Sequence, residues 1–347
     1  MQKIQQVGEK ILPFVAYGDS SGLPFEAKSS SYMREFISEH GSISGLNDTT
    51  TNPYIGSYPA GTWSDDTHLS IVMARTLINS PGFNISNLAD EHCRALEHVN
   101  GRMDTPDLIP PILSENGKTG WGKGTINAVE NLLSGIEPSL SGVDTAGNGV
   151  LMKIAPLVFW QVAQKINEEK AEDQIIAITK MTHNNPVAIA SSLTHKKILE
   201  YLLSDTNFRA FDKKQFIENA SMIAKKYERR LGSNDVLSKG LEKLNKHFRN
   251  NDCYADIILS LTPKHGFYAP ETLIMAYGSF LSENIFPESV FRAIELGGDT
   301  DSIGSIVSTM SLFLNENTLL PADYEKIYDY ERLMKISKQL AKVSIKD

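Results

Sequence analysis

Apolar residues recur at helical spacing through most of this sequence, whereas alternating apolar and polar runs bounded by turn signals are nearly absent. A chain of 347 residues with this pattern can bury a large core between its helices. The sequence therefore predicts an all-α protein with many helices. The segments with the clearest helical period are residues 69–78, 126–133, 150–162, 175–181, 187–203, 216–227, 236–248, 254–261, 270–281, 290–296, 303–314 and 324–343.

Two irregular stretches interrupt the helical pattern. Residues 38–64 are rich in Gly, Ser, Thr, Asn and Pro, and residues 100–124 contain Pro106, Pro110, Pro111 and several glycines. Loops longer than about 12 to 15 residues are uncommon unless they carry a function. Because both stretches lie close to candidate site motifs, we expect them to rim a cleft. No repeat or charged linker marks a boundary, so we predict a single compact domain over residues 1–347.

Two acidic clusters lie far apart in the chain, Ser64-Asp65-Asp66-Thr67 and Asp299-Thr300-Asp301-Ser302. Each follows a turn containing glycine and precedes an apolar run of helical period. Either cluster alone is explained by helix capping, because side-chain oxygens accept the unpaired N–H groups of a first turn. If the four aspartates converge, their repulsion raises their pKa values and destabilises the fold unless a cation neutralises them. The clusters thus resemble two halves of a metal site.

The candidate ligands are all oxygens, and no Cys or His spacing suits zinc. Oxygen donors favour Mg²⁺, Mn²⁺ or Ca²⁺. We expect a structural role for His68, which directly follows the first cluster.

Three other motif readings fail. Leu69 stands where the DDxxD metal motif requires an acid, and Met310 where an EF-hand requires its last ligand. Residues 117–123 have P-loop spacing, but Gly124 replaces the required Ser or Thr.

The formal net charge of −8 and the scattered basic residues argue against nucleic-acid binding by a basic face. Cys93 and Cys253 lie in apparent helices among apolar neighbours, so we expect reduced core thiols and a cytoplasmic location. No leader-like segment or membrane-length apolar run is present, and we predict no membrane association and a monomer.

Five segments, in order along the chain, resemble the ADP-ribosylglycohydrolase family, which includes dinitrogenase reductase-activating glycohydrolase. They are residues 18–26 (GDSSGLPFE), 63–67 (WSDDT), 147–156 (GNGVLMKIAP), 182–189 (THNNPVAI) and 297–303 (GGDTDSI). The resemblance extends from about Phe14 to Leu314 and implies an all-α fold with a two-magnesium centre in a cleft, Mn²⁺ being an alternative metal.

The resemblance also implies roles for individual residues. Glu26, Asp65 and Asp301 are the implied catalytic residues, with Glu26 near the metals as a ligand or as the base that directs water. The implied metal ligands are Ser64, Asp65, Asp66, Asp299, Asp301 and Ser302. The implied substrate-binding residues are Gly147, Asn148, Gly149, His183, Gly124 and Tyr268.

From the residues themselves, the loop 142–149 before the apolar run at Val150 offers backbone N–H groups and a positive helix end to a pyrophosphate. The sequence departs from the family pattern at Lys153, where we expect Arg, and at Ala146, which leaves no aromatic side chain before Gly147. Stacking on the adenosine side must then come from another aromatic residue. The candidates are Tyr54, Tyr58, Trp121, Phe267 and Tyr268.

The implied function is Mg²⁺-dependent hydrolysis of the glycosidic bond between ADP-ribose and an acceptor, with ADP-ribosylated arginine on a protein as the expected substrate. One alternative is a catalytically silent binding or structural protein on the same fold. Another is a hydrolase of a different linkage, to serine, a nucleobase or a small-molecule conjugate.

Overall fold

The computed structural model describes residues 2–49, 52, 55–80, 82–102, 120–205, 208–249 and 254–345. Within these residues the chain forms α-helices joined by loops and short 3-10 or π turns, and three isolated bridges are the only β-type pairing. The all-α prediction is confirmed. The helices are α1 (Gln2–Gly8), α2 (Ile11–Gly22), α3 (Ser30–His40), α4 (Asp65–Asn79), α5 (Ile85–Val99), α6 (Lys123–Leu133), α7 (Ala155–Ala163), α8 (Glu168–Thr182), α9 (Pro186–Glu200), α10 (Lys213–Leu231), α11 (Val236–Arg249), α12 (Tyr254–Leu261), α13 (Ala269–Ser282), α14 (Glu288–Ile294), α15 (Thr300–Leu314) and α16 (Tyr330–Ser344).

Helices α2 and α15 form the centre of the fold and are buried along their whole length. They run antiparallel with their backbones in contact. A Cβ atom on Gly18 would lie 2.2 Å from the carbonyl oxygen of Gly304, and one on Gly22 would lie 2.2 Å from that of Thr300. This close pairing places residues 19–26 beside residues 299–302, although these segments come from opposite ends of the chain.

The other helices surround this pair. Helix α4 packs against α2 and α16, helices α13 and α14 pack against α15, and α10 packs against α9 and α11. Their buried apolar side chains form one continuous cluster that extends from Val7 in α1 to Ala341 in α16. The helical period of the sequence arises because each helix turns an apolar face toward this shared core.

Three predicted helical segments differ from a single α-helix, two by an interruption and one by a change of helix type. Segment 150–162 divides into a 3-10 turn, Leu151–Lys153, and α7, because Pro156 in the first turn of α7 favours a helix start. Segment 187–203 continues past α9 as a π turn, Tyr201–Asp205. Segment 324–343 divides at Asp329, whose φ of 55° is left-handed and cannot continue a right-handed helix.

The two irregular stretches differ from the prediction at their ends. Helix α3, which was not among the predicted segments, extends to His40, so the first stretch begins at Gly41. The second ends at Gly122, the residue before α6, and its residues 103–119 lie outside the described part of the chain. Cys93 in α5 is a half-buried free thiol whose pKa burial raises to about 11, while Cys253 lies outside the described residues.

Candidate functional site

A pocket of about 240 Å³ opens where the N-termini of α4 and α15 meet. All five sequence segments described above contribute residues to its wall. The sequence-predicted residues that line it are Glu26, Asp65, Asp66, Gly124, Gly147, Asn148, Gly149, His183, Asp299, Asp301 and Ser302. The fold therefore brings together side chains that are distant in sequence.

The first turn of α4 presents the first acidic cluster. Ser64 is the N-cap residue, and its side-chain oxygen accepts a hydrogen bond from the Asp66 N–H at 3.3 Å. Asp65 and Asp66 follow in the first turn, and both are buried at the pocket wall. Capping by Ser64 therefore leaves both carboxyl groups available to the pocket.

Asp19 of α2 holds this helix start in place. Its two carboxyl oxygens accept hydrogen bonds from the Ser64 N–H at 2.9 and 3.0 Å. One of them also accepts from the Thr67 N–H at 3.0 Å and the Thr67 hydroxyl at 2.6 Å. Asp19 is fully buried and was not among the predicted site residues. It acts on the pocket by positioning the acids of α4.

The second acidic cluster lies at the start of α15. Asp299 occupies the N-cap position without a side-chain capping bond, and instead its Oδ2 accepts a 2.5 Å hydrogen bond from the Asn148 side chain. The Ser302 and Ser305 hydroxyls donate to the two oxygens of Asp66 at 3.3 and 3.2 Å. Helix capping alone does not account for this cluster, because Asp299 bonds Asn148 and Ser302 bonds Asp66 of the opposing cluster, although Asp301 also bonds backbone N–H groups of its own first turn.

The carboxyl groups that converge here are poorly compensated. The Oδ1 atom of Asp301 is buried and has no hydrogen-bond partner. Burial raises the pKa of Asp301. Five further carboxyl groups also have a raised pKa, and the larger cause is burial while the second is repulsion from Asp301. These belong to Asp19, whose pKa is raised to about 7, and to Glu26, Asp65, Asp66 and Asp299. The convergence and repulsion expected from the sequence are thus present.

Glu26 approaches the cluster from the segment that follows α2. It ends a 3-10 turn, Leu23–Phe25, and its Oε2 accepts a 3.2 Å hydrogen bond from the Asn52 side chain. The next residues are fixed by an isolated bridge between Lys28 and Gly298, directly before Asp299. Because Lys28 pairs with Gly298, the backbone that carries Glu26 is held beside the backbone that carries Asp299.

A glycine-containing turn forms another wall. Cβ atoms on Gly147 and Gly149 would lie 3.3 and 3.0 Å from the His183 ring, so the backbone of this turn packs closely on the imidazole at both glycines. Burial lowers the pKa of His183 to about 3, which keeps the ring neutral. The turn leads into the three-residue 3-10 segment rather than a helix at Val150, so the helix-dipole argument for a pyrophosphate site is wrong.

The segment before α6 completes the rim. Trp121 donates its indole N–H to Nδ1 of His68 at 3.3 Å, and the Gly122 N–H bonds Asp65. His68 is fully buried, and burial lowers its pKa to about 3. Its structural role, predicted from the sequence, is consistent with this position behind the rim.

Two predicted residues do not line the pocket. Ser64 caps α4 as described above, and its side chain also forms a hydrogen bond with Asp301 behind the pocket wall. Tyr268 is half-buried, its hydroxyl accepts from the Asn234 side chain at 2.7 Å, and Lys264 lies over its ring at 4.0 Å. The neighbouring Phe267 lines the pocket instead. Other lining residues that the sequence did not single out are Gly120, Gly122, Lys123, Thr125, Thr145 and Met152.

The pocket offers the type of ligand atom that a hard cation prefers, but its side chains are not arranged as a complete coordination shell. Within the described residues, no three His, Cys, Asp or Glu side chains are arranged to enclose a metal ion. The oxygens of the two clusters are nevertheless the ligands that Mg²⁺ prefers, and the bare Asp301 Oδ1 is an acceptor without a donor. A divalent cation would relieve both the repulsion and this missing contact.

Comparison with known proteins identifies the family. Residues 15–346 match the family model described as ADP-ribosylglycohydrolase, so the chain belongs to this family. An uncharacterized protein of Archaeoglobus fulgidus is 23% identical over 298 residues, which cover 84% of this chain and 82% of that protein. A solved structure, an ADP-ribosylglycohydrolase-related protein complex, superposes with a TM-score of 0.70 at 19% identity, covering 99% of this chain and 100% of the other.

Family membership supports a hydrolase of ADP-ribose linkages as the class of protein. Every helix in the described part of the chain is too short or too polar to cross a membrane.

Proposed function

We propose that this protein is a magnesium-dependent hydrolase that removes ADP-ribose from ADP-ribosylated arginine on proteins. One observation carries the proposal, the convergence of two buried acidic clusters and Glu26 around the bare Asp301 oxygen in a member of this family. We also propose that residues 1–347 act as one monomeric domain. The continuous apolar cluster from α1 to α16 supports the single domain.

The proposed cofactor is Mg²⁺, with two ions and Mn²⁺ as an alternative. When bound, the metal would fix the ribose and polarise groups at its anomeric carbon. The residues that would hold it are Ser64, Asp65, Asp66, Asp299, Asp301 and Ser302. Of these, Ser64 does not line the pocket, but its hydroxyl already bonds Asp301 and keeps a second lone pair beside the capping bond.

Glu26 is the proposed general base. Its carboxyl group lines the pocket beside Asp299 and Asp301, within the part of the cleft where the ribose would lie. A water molecule gives a proton to Glu26 and its oxygen bonds to the anomeric carbon, while the bond from that carbon to the arginine nitrogen breaks. The leaving guanidine takes up a proton from solvent, and Glu26 returns its proton to solvent, so the products are ADP-ribose and unmodified arginine.

The remaining lining residues orient the substrate. The backbone of Gly147 and Gly149 can donate to phosphate oxygens, and Asn148 bridges this turn to Asp299 through its side chain. The neutral His183 ring gives the turn a rigid support without adding a charge. These residues would hold the reacting carbon in reach of Glu26.

The charge of the pocket favours arginine as the acceptor. Five carboxyl side chains line it and Lys123 is the only amine among the described lining residues. Carboxyl groups that the proposed metal does not neutralise, such as Glu26, can pair with a guanidinium group, and a serine linkage carries no comparable charge. The arginine linkage is therefore the first substrate to test.

The test measures release of ADP-ribose from proteins modified on arginine and, separately, on serine, with Mg²⁺ or with EDTA. Asp301→Asn removes the proposed ligand, and Asp256→Asn, at an exposed aspartate paired with Arg34, is the matched control. Release that needs Mg²⁺, prefers arginine and is lost only in Asp301→Asn supports the proposal. Tight ADP-ribose binding without release from either protein would instead favour a silent binding protein.

A further inference from the structure

The irregular stretch before α4 contains a loop that packs against the segment carrying Glu26. Ile55 and Tyr58 of this loop form, with Leu23, a small buried apolar cluster that is separate from the main core. Leu23 begins the 3-10 turn that directly precedes Glu26. The loop is therefore anchored beside the proposed general base.

Thr49 closes this loop. Its hydroxyl donates to the carbonyl of Gly56 at 2.8 Å and accepts from the Tyr58 N–H at 2.7 Å. Its own N–H donates to the carbonyl of Tyr58 at 3.0 Å, and its carbonyl accepts from the Asn52 N–H at 2.8 Å. These bonds fix the backbone that carries Asn52.

The side chain of Asn52 reaches from the loop to Glu26. Its amide nitrogen donates to the carbonyl of Leu23 at 2.6 Å and to Oε2 of Glu26 at 3.2 Å. Its amide oxygen accepts from the Ile55 N–H at 3.2 Å. Because both ends of the amide are bonded, the direction of its N–H groups is fixed. Asn52 is buried at 5% exposure and is not among the described residues that line the pocket.

Asn52 is the only hydrogen-bond donor to the Glu26 side chain among the residues that the structure describes. The backbone after Glu26 is held independently, because Ala27 has a left-handed φ of 59° and its N–H donates to the carbonyl of Gly298 at 2.7 Å. A fixed backbone does not fix a glutamate side chain, which keeps several rotatable bonds. The direction of the carboxyl group therefore depends on Asn52.

We propose that Asn52 is a positioning residue for Glu26, holding Oε2 through its amide N–H so that Oε1 takes the proton from water. This inference rests on the proposed function and adds the residue that orients the base. A displacement of about 1 Å in a reacting group can cost on the order of 10²-fold in rate. Loss of the Asn52 bond should therefore lower kcat about ten- to a hundredfold.

The first experiment measures kcat on arginine-modified protein and equilibrium binding of ADP-ribose with Mg²⁺. Asn52→Asp keeps the oxygen that accepts from Ile55 but opposes Glu26 with a second oxygen. It should lower kcat about ten- to a hundredfold and change ADP-ribose binding less than threefold. Asn47→Asp is the matched control in the same stretch, where the side chain donates to the carbonyl of Gly45 at 3.1 Å, and should keep wild-type kcat.

A double variant separates positioning from support of the fold. Asn52→Ala should lower kcat about ten- to a hundredfold in the wild-type protein, but less than about twofold in a Glu26→Gln protein, because the base through which it acts is already lost. An equal loss in both proteins would overturn the positioning role. Wild-type kcat in Asn52→Asp would overturn it as well.

Crystal structures of the wild-type protein and of Asn52→Ala give a readout that does not depend on activity. The Glu26 carboxyl group should occupy one position in the wild type and several in the variant, and an unmoved carboxyl group would contradict the inference. A wild-type protein that releases no ADP-ribose would contradict the proposed function instead. The comparison of crystal structures would still decide whether Asn52 orients Glu26.

Discussion

Gly18 and Gly304 face each other across the contact between α2 and α15, with no room between them for a methyl group. A Cβ atom on Gly304 would lie 2.4 Å from the carbonyl oxygen of Gly18, and one on Gly18 would lie 2.2 Å from that of Gly304. One turn further along, the Thr300 hydroxyl donates to the carbonyl of Gly22 at 2.8 Å. This backbone contact sets the separation of Glu26 from the acids of α15.

Gly18→Ala should destabilise the protein by about 1 to 3 kcal/mol, because the added methyl group forces the two helices apart. Urea unfolding measures the change in the free energy of unfolding. Gly82→Ala is the control, since nothing lies within 4 Å of its Cβ position. Alanine is the better helix former by about 1 kcal/mol, so a stabilised Gly18→Ala variant would contradict the tight contact.

Asp19→Asn should reduce both stability and Mg²⁺ affinity. The amide NH2 replaces one carboxyl oxygen and, being a donor itself, opposes the Ser64 N–H, while the neutral amide oxygen accepts more weakly than a carboxylate at this buried site. We expect a loss of about 1 to 3 kcal/mol in the free energy of unfolding, with weaker Mg²⁺ binding in calorimetry.

Asp212→Ala is the matched comparison for Asp19, because Asp212 caps α10 by the same chemistry at an exposed position. It should cost about 1 kcal/mol and leave Mg²⁺ affinity unchanged. Equal effects of both variants on Mg²⁺ binding would remove the positioning role of Asp19.

Glu26→Gln should lower kcat by about 10² to 10⁴-fold while ADP-ribose still binds, because the amide cannot take the proton from water. Turnover of arginine-modified protein and equilibrium binding are measured on the same preparation. Glu39→Gln, at an exposed glutamate near the end of α3, should retain full activity. Wild-type turnover by Glu26→Gln would eliminate this residue as the base.

Metal removal should lower the melting temperature, because the buried carboxyl groups then repel one another without compensation. Millimolar Mg²⁺ added to EDTA-treated protein should raise Tm by several degrees. Asp301→Asn should abolish most of this rise, whereas Asp256→Asn should show the wild-type response. A Tm that does not respond to Mg²⁺ or Mn²⁺ would refute the proposed metal site.

Lys153 should make stability depend on pH above neutrality. It is fully buried, its amine lies 3.2 Å from Nε2 of His92, and burial lowers its pKa to about 7. In the unfolded chain its pKa is about 10.4. Between these values the unfolded state binds more protons, so this lysine makes the free energy of unfolding rise as pH increases from about 7 to 10.

Lys153→Met should flatten this rise and add at least about 1 kcal/mol at pH 7, measured by urea unfolding at several pH values. Lys196→Met is the contrast, because Lys196 is equally buried but paired with Glu168 and Glu200 at 3.2 and 2.6 Å. That variant should lose stability instead. A wild-type pH slope retained in Lys153→Met would contradict the assignment.

The sequence predicted most of the fold because the apolar period of a helix is a local property of the chain. Helix α12, for example, occupies the predicted residues 254–261. Interruptions such as the one at Asp329 were missed because a left-handed residue leaves no apolar pattern. The motif segments predicted most of the pocket wall, since their acidic and glycine residues are grouped in short stretches.

The sequence signal for Asp19 was present, because it is the only charged residue in the apolar segment of α2. Its partners, however, are the backbone N–H groups of α4, which no side-chain pattern reveals. The choice of Tyr268 over Phe267 had no local basis. Which ring faces the pocket depends on the pairing of this loop with Gly147, a contact between distant segments.

The antiparallel contact of α2 with α15 has a consequence for biosynthesis. A ribosome makes Glu26 and the acids of α4 early, and Asp299 and Asp301 only after almost three hundred residues. Nascent chains that stop before α15 therefore expose a long apolar helix without its partner and hold only half of the acidic pocket. Incomplete translation products should be targets for chaperones and proteases, and none of them can carry the assembled site.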